Sequence, residues 1–305
     1  MKLPSSVTLA IALSTLFTTS AAADPAINIT TIDLLDANSC PLDVLSCSPD
    51  SRNVNACCLP SMGLLVLVQQ WFDGVGPSDA FTLHGLWPDT CAGGHGPPNG
   101  CDSLRVYNNV EARLKSYNGA QPGFMDEMNT YWGSFKGNNN GFWSYEWSKH
   151  GTCISNLSPS CTNPSTFIPN QDVYEYFRQA LELRAQYDLY AALAKAGIMP
   201  RSNPDVEDMH EAIEAVFGAD AQINCKGGVL NEVWMYFNVK NGNQYEPTAP
   251  KYPGSCRGSM ANKDNYKVDY NNNNSSDKDK HWASRTDPNR HSDGTLFKRG
   301  CDCLY

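Results

Sequence analysis

The stretch "VLNEVWMYFNV", Val229 to Val239, decides the fold class. It is rich in Val, Met and aromatics and alternates imperfectly, the pattern of a central strand with one face on a core. Two further strand patterns lie upstream: "GLLVLVQQW", Gly63 to Trp71, reads as a buried strand. "FTLHGLWPDTC", Phe81 to Cys91, starts as a strand and is expected to end in a turn at Gly85 and Pro88, with His84 at or near the strand end. Between these come helical patterns. Residues 103–132 read as helical around an interruption at Gly119 to Gly123. Asp172 to Ala196 spaces its apolar residues by three and four, which predicts one long helix stopped by Gly197. Asp205 to Phe217 predicts another, capped by Asn203-Pro204 and ended by Gly218. Strands and helices intermix without a βαβ repeat, so the expectation is α+β, with mixed helices packed on a central antiparallel sheet in a disulfide-rich single domain.

The ends of the chain differ from this middle. Residues 1–23 run from Lys2 through an apolar segment, Val7 to Phe17, to Ala21-Ala22-Ala23, which reads as a secretory signal peptide. The apolar segment is too short for a membrane anchor, which needs roughly 20 residues. Residues 24–258 are then the folded domain. Residues 259–305 form a polar Asn/Asp/Lys/Ser-rich C-terminal extension whose eight Lys/Arg and seven Asp/Glu nearly cancel. The destination expected is secreted and extracellular, with a vacuolar or lysosome-like compartment as the alternative.

Twelve cysteines in an exported chain, none in a C-x-x-C pair, read as disulfides rather than as a metal site. Sequons at Asn28, Asn156, Asn273 and Asn274 are candidate glycosylation sites, while Asn163 is excluded by Pro164. The formal charge is -9, and loss of Lys2 with the signal takes it to about -10. A polyanionic ligand is therefore repelled on average and needs a local cationic site or acid pH.

The chemistry concentrates in "FWSYEWSKHGTC", Phe142 to Cys153. Its frame evokes the zinc motif H-E-x-x-H, but Tyr145 and Lys149 stand where both imidazoles should be, and an ammonium repels Zn²⁺. No metal or other cofactor is expected. On a helix, Glu146, Lys149 and His150 fall at i, i+3 and i+4 and share one face. A solvated charged face is the plain alternative, against which stand Trp143, Trp147 and Cys153, residues that predict a half-buried segment. A carboxylate, an ammonium and an imidazole together suit a phosphoryl centre. Internal attack on RNA needs a second proton-transfer group. Of His84, His95, His150, His210, His281 and His291, only His84 sits at a strand end beside Gly85, Trp87 and Asp89.

The two segments, "FTLHGLWPDTC" and "FWSYEWSKHGTC", with the order of cysteines around them, resemble the active-site segments of the ribonuclease T2 family, secreted acid endoribonucleases, in their fungal form. The likeness extends more loosely from Cys40 to Cys256 and would make residues 24–258 the ribonuclease catalytic domain. It implies His84 and His150 as catalytic histidines, with His150 the base toward the 2′-hydroxyl and His84 the acid toward the leaving oxygen. It implies Glu146 and Lys149 as stabilisers of the phosphorane. It further implies Trp87 and Asp89 as contacts to the upstream base, and Phe142 as a contact to the downstream base. The implied bridges are Cys40–Cys58, Cys47–Cys91, Cys57–Cys161, Cys101–Cys153 and Cys225–Cys256, leaving Cys301 and Cys303 over.

One position departs from the family pattern: Tyr145 stands where relatives carry a phosphate-binding histidine. A phenol can donate a hydrogen bond but adds no positive charge at acid pH, so weaker binding or a lower rate is expected. His95 lies in a loop where some relatives place an aromatic. The function implied is a metal-independent, acid-favouring endoribonuclease for single-stranded RNA with low base specificity, acting as a monomer without an obligate protein partner or membrane. Two alternatives remain at this point: a weakened family member that serves as an extracellular RNA-binding or recognition protein, and a disulfide-stapled carbohydrate-binding or structural module.

Overall fold

The structure, a computed structural model, describes residues 40–258 except 73. The expected signal peptide, Asn28, Asn273, Asn274, His281, His291, Cys301, Cys303 and the polar extension lie outside the described residues.

The expected sheet is present. Strand β1 (Gly63–Gln70) pairs antiparallel with β2 (Thr82–Thr90) on one side and β4 (Val229–Lys240) on the other, and β4 also pairs with β3 (Gln222–Lys226) and β5 (Gln244–Thr248). Val233, Met235, Phe237 and Val239 of β4 enter the main core under the helices. Trp234 and Tyr236 point to the other face, where they meet Leu64, Val66, Val68 and Trp87. Both faces of β4 are covered, which is why its alternation reads as imperfect.

Six α-helices lie among the described residues: α1 (Val110–Ser116), α2 (Phe124–Tyr131), α3 (Asn139–Lys149), α4 (Gln171–Gln186), α5 (Leu189–Lys195) and α6 (Val206–Phe217). The main core joins the helical face of the sheet to Trp132, Trp143, Trp147, Tyr176 and Phe177, all fully buried. Truncating one of these tryptophans to alanine would cost about 3–5 kcal/mol.

Three expectations are corrected. The strand through Phe81 does not turn at Gly85 and Pro88; β2 continues to Thr90, so His84 lies inside it. Pro88 is tolerated because β2 is the edge of the sheet, where a missing N–H breaks no ladder. The helix expected over 172–196 is two, because Tyr187 buries its ring against Phe217 and Phe237 and Asp188 then caps α5 through the Ala191 N–H. Helix α6 is capped by the Asp205 side chain, which accepts from the Glu207 N–H, rather than by Asn203-Pro204. Its stop is as expected, with Gly218 at φ 76°.

Among the described residues five bridges form, Cys40–Cys58, Cys47–Cys91, Cys57–Cys161, Cys101–Cys153 and Cys225–Cys256, the connectivity that the resemblance implies. Gly63 shows how tightly one is enclosed. Its φ is +101°, and a Cβ there would stand 2.3 Å from Cys91 Sγ and 2.6 Å from Cys47 Sγ. Asn156 does not suit a glycan: it is 2% exposed, and the Nδ2 that would carry the sugar donates to the Gly242 carbonyl at 2.6 Å.

Candidate active site

The site forms where β2, the end of α3 and β4 converge. His84 is aimed by an irregularity in the β1–β2 ladder: Val68 faces Gly85 and Gln69 faces Leu83, so His84 is the extra residue between them. Such a bulge re-aims a side chain out of the regular alternation. Its backbone is held from α3 through two indoles. Trp143 Nε1 donates to the Trp132 carbonyl at 2.7 Å, and Trp132 Nε1 donates to the His84 carbonyl at 3.0 Å.

Helix α3 begins with the Asn138 side chain accepting from the Gly141 N–H at 2.9 Å. It buries Trp143, Ser144, Glu146 and Trp147. That leaves the half-buried segment expected from its aromatics. Lys149 closes the helix and His150 caps it, its N–H bonded to the Glu146 carbonyl at 2.9 Å. Three residues on, Cys153 is tied to Cys101.

Trp87 touches both imidazoles. His150 stacks on its indole at 5.0 Å with an interplanar angle of 16°, and His84 meets it near-perpendicular at 4.9 Å. Trp234 packs against it at 5.0 Å. With 4% exposure, Trp87 is enclosed. Its indole N–H donates to Glu146 Oε2 at 2.9 Å. The other oxygen, Oε1, lies 3.7 Å from His84 Nε2. A wholly buried carboxylate therefore faces the same ring atom that can present a proton.

The electrostatics separate the histidines. Burial, then the Lys149 cation and the charges of His84 and His95, hold the His150 imidazole well below its ordinary value. The burial and the neighbouring cations thus favour the neutral ring, the form that can accept a proton. His84 has carboxylates on both ring nitrogens, with Glu232 Oε1 2.6 Å from Nδ1. Lys149 Nζ donates to the Tyr145 hydroxyl at 2.7 Å, so the residue that departs from the family pattern aims the ammonium. Phe142 stands 5.7 Å from the His84 ring.

Asp89 lies 1% exposed, with Oδ1 3.2 Å from His95 Nδ1 and a backbone bridge joining the same two residues. Burial pushes its carboxyl above the ordinary value although His95 pulls it down. Oδ2 of Asp89 has no hydrogen-bond partner among the described residues. His95 is thus paired with Asp89 rather than loose in its loop.

Glu232 and Trp234 escape sequence reasoning. The available signal is a carboxylate two residues from a tryptophan inside an otherwise apolar strand, which puts both on one face.

The sequence model of the Ribonuclease T2 family matches residues 62–256. Ribonuclease Rh of Rhizopus niveus is 44% identical over 224 residues, covering 73% of this chain and 92% of that protein. Ribonuclease T2 of Aspergillus oryzae is 36% identical over 219 residues, covering 68% and 77%. A 1.7 Å crystal structure of Actibind, a T2 ribonuclease, superposes with a TM-score of 0.67 at 34% identity, covering 75% of this chain and 96% of that one. The chain belongs to the ribonuclease T2 family.

Proposed function

We propose that the protein is a secreted, metal-independent endoribonuclease that cleaves single-stranded RNA with low base specificity and favours acid pH. The observation that carries this reading is that His84 and His150 both pack on the Trp87 indole, with Glu146 against His84. His150 takes the proton from the 2′-hydroxyl, whose oxygen forms a bond to phosphorus. The bond from phosphorus to the 5′-oxygen breaks, and His84 Nε2 gives that oxygen its proton. In the second step the roles reverse: His84 takes a proton from water, which opens the 2′,3′-cyclic phosphate, and His150 returns one to the 2′-oxygen, leaving a 3′-phosphate. Lys149 offsets charge on the phosphorane oxygens, where a fixed cation in a partly buried site contributes most.

Asp89 with His95 is proposed to read the upstream base, and Phe142 to contact the downstream one. Acid pH suits this chain because its net charge of -9 repels RNA until surface carboxylates neutralise. Export rests on the leader-like residues 1–23 and on the five bridges, which persist in oxidising compartments. Among the described residues no helix is long and apolar enough to cross a membrane.

The test is to incubate the purified protein with RNA and EDTA at about pH 4.5, below the ordinary histidine range. Fragments with 2′,3′-cyclic and then 3′-phosphate ends are expected, and none from His84→Ala or His150→Ala. Cleavage by both variants at the parent rate would sink the assignment. RNA binding without cleavage by the parent would favour the weakened family member, for which Tyr145 in place of histidine is the supporting residue.

A further inference from the structure

We propose that Glu232 is a positioning residue for the general acid: it fixes the His84 ring so that Nδ1 always carries a proton and Nε2 alone serves the reaction. The inference rests on the reading of His84 as the acid that protonates the leaving oxygen. Glu232 Oε1 lies 2.6 Å from His84 Nδ1, and Glu232 Oε2 accepts from Trp234 Nε1 at 2.8 Å. Both carboxylate oxygens are therefore committed, one to the imidazole and one to a fixed donor.

The mounting is rigid. Glu232 lies in β4 opposite Gln70 of β1 and Asn224 of β3, so its backbone is paired on both sides. His84 is pinned separately by the Trp132 indole on its carbonyl. The charged groups facing this pair are Glu146 from α3, Lys226 from β3, and His150 at the end of α3. Burial raises the Glu232 carboxyl, but His84, the Trp234 N–H and Lys226 outweigh it and hold it below its ordinary value. An ionised carboxylate only accepts, so the proton between the two groups stays on Nδ1. The neutral ring left after the first step then presents its lone pair at Nε2, where water must be deprotonated in the second. One atom thus performs both transfers without a ring flip or a change of tautomer.

This role makes a prediction that a merely structural contact does not. General-acid assistance matters for a poor leaving group such as a nucleoside 5′-alkoxide and hardly at all for 4-nitrophenolate. Steady-state kinetics are compared on a dinucleoside phosphate and on the matching nucleoside 3′-(4-nitrophenyl phosphate), for the parent, Glu232→Gln, Glu232→Asp, Trp234→Phe and His84→Ala. Glu232→Gln is expected to lose about 100-fold in kcat on the dinucleoside phosphate, with KM within about twofold and a loss under about fivefold on the aryl ester. Its kcat/KM profile should fall off at lower pH by about one unit, because a carboxylate that favours the imidazolium is gone. Glu232→Asp keeps the charge and recovers part of the rate. Trp234→Phe shows the same leaving-group pattern in smaller degree.

Equal losses on the two substrates, or a pH profile superposing on that of the parent, would overturn the role. His84→Ala decides the underlying reading independently. If it too loses equally on both substrates, His84 is not the acid. If it is selective and Glu232→Gln is not, only the role of Glu232 fails.

Discussion

Lys149 Nζ reaches the hydroxyl of Tyr145 one helical turn back, at 2.7 Å, and sits 5.1 Å from the centroid of its ring. The phenol aims the ammonium but brings no cation of its own, whereas a histidine at position 145 would add one at acid pH. Tyr145→His should raise kcat/KM on RNA by about threefold to tenfold below about pH 6 and give little gain above pH 7, where imidazole is neutral. Tyr145→Phe should lower it about threefold through KM, the effect of one hydrogen bond worth about 0.5–1 kcal/mol. Steady-state assays across pH measure both. If both variants match the parent throughout, Tyr145 has no part in holding phosphate.

His150 owes its depressed basicity first to burial and next to the adjacent Lys149 charge. Removing that charge makes the imidazolium easier to form, so its pKa must rise and the neutral base must appear at higher pH. Lys149→Met should therefore move the ascending limb of kcat/KM upward by up to about one unit, beyond any loss in maximal rate. A titration of the His150 ring protons by NMR reads the same shift directly. A downward shift, or none, would show that Lys149 does not act on His150 through charge.

The two long motifs were legible because each packs its chemistry into one segment whose local geometry is regular. Glu146, Lys149 and His150 share a helical face wherever that helix is placed. The bulge at His84 was not legible, since it exists only in the register between β1 and β2. The turn expected at Pro88 fails for a related reason. The local rule against proline holds inside a sheet, and only the strand order reveals that β2 is an edge. The break at Tyr187 depends on Phe217 and Phe237, distant in sequence. Glu232 is the least legible residue of the site. A lone carboxylate in an apolar strand reads as an outward-facing residue until its imidazole partner, 148 positions earlier, is in view.

The bridge Cys101–Cys153 closes a segment of 52 residues and anchors the chain three residues beyond His150. Cys40–Cys58 closes 18 residues, entirely before β1. Loop-closure entropy makes the first worth about 4 kcal/mol and the second about 3 kcal/mol. Replacing either pair by serine should lower the Tm by roughly 10 °C. Activity assayed well below the transition separates them: loss of Cys101–Cys153 should reduce kcat, because the exit from α3 is loosened, while loss of Cys40–Cys58 leaves kcat near that of the parent. Equal kcat in both variants would mean that the bridge does not position His150.

Gly85 stands between the two halves of the site with no room for a side chain. A Cβ there would lie 2.1 Å from Glu146 Oε2 and 2.5 Å from Trp87 Nε1. Something must move, and the Glu146 carboxylate is the most mobile group in reach, being the far end of its side chain. It is fully buried and bonded to the Trp87 indole, so moving it breaks that bond and displaces the oxygen facing His84. Gly85→Ala should therefore fold, with stability reduced by about 1–3 kcal/mol. Its kcat should fall by about 100-fold, the effect of misplacing a catalytic group by about an ångström, and KM should change little, because Lys149 and the base-binding residues are untouched. Thermal unfolding and steady-state kinetics on one preparation separate the two effects. A stable variant with parental kcat would show that the Trp87–Glu146–His84 alignment is not what the reaction requires.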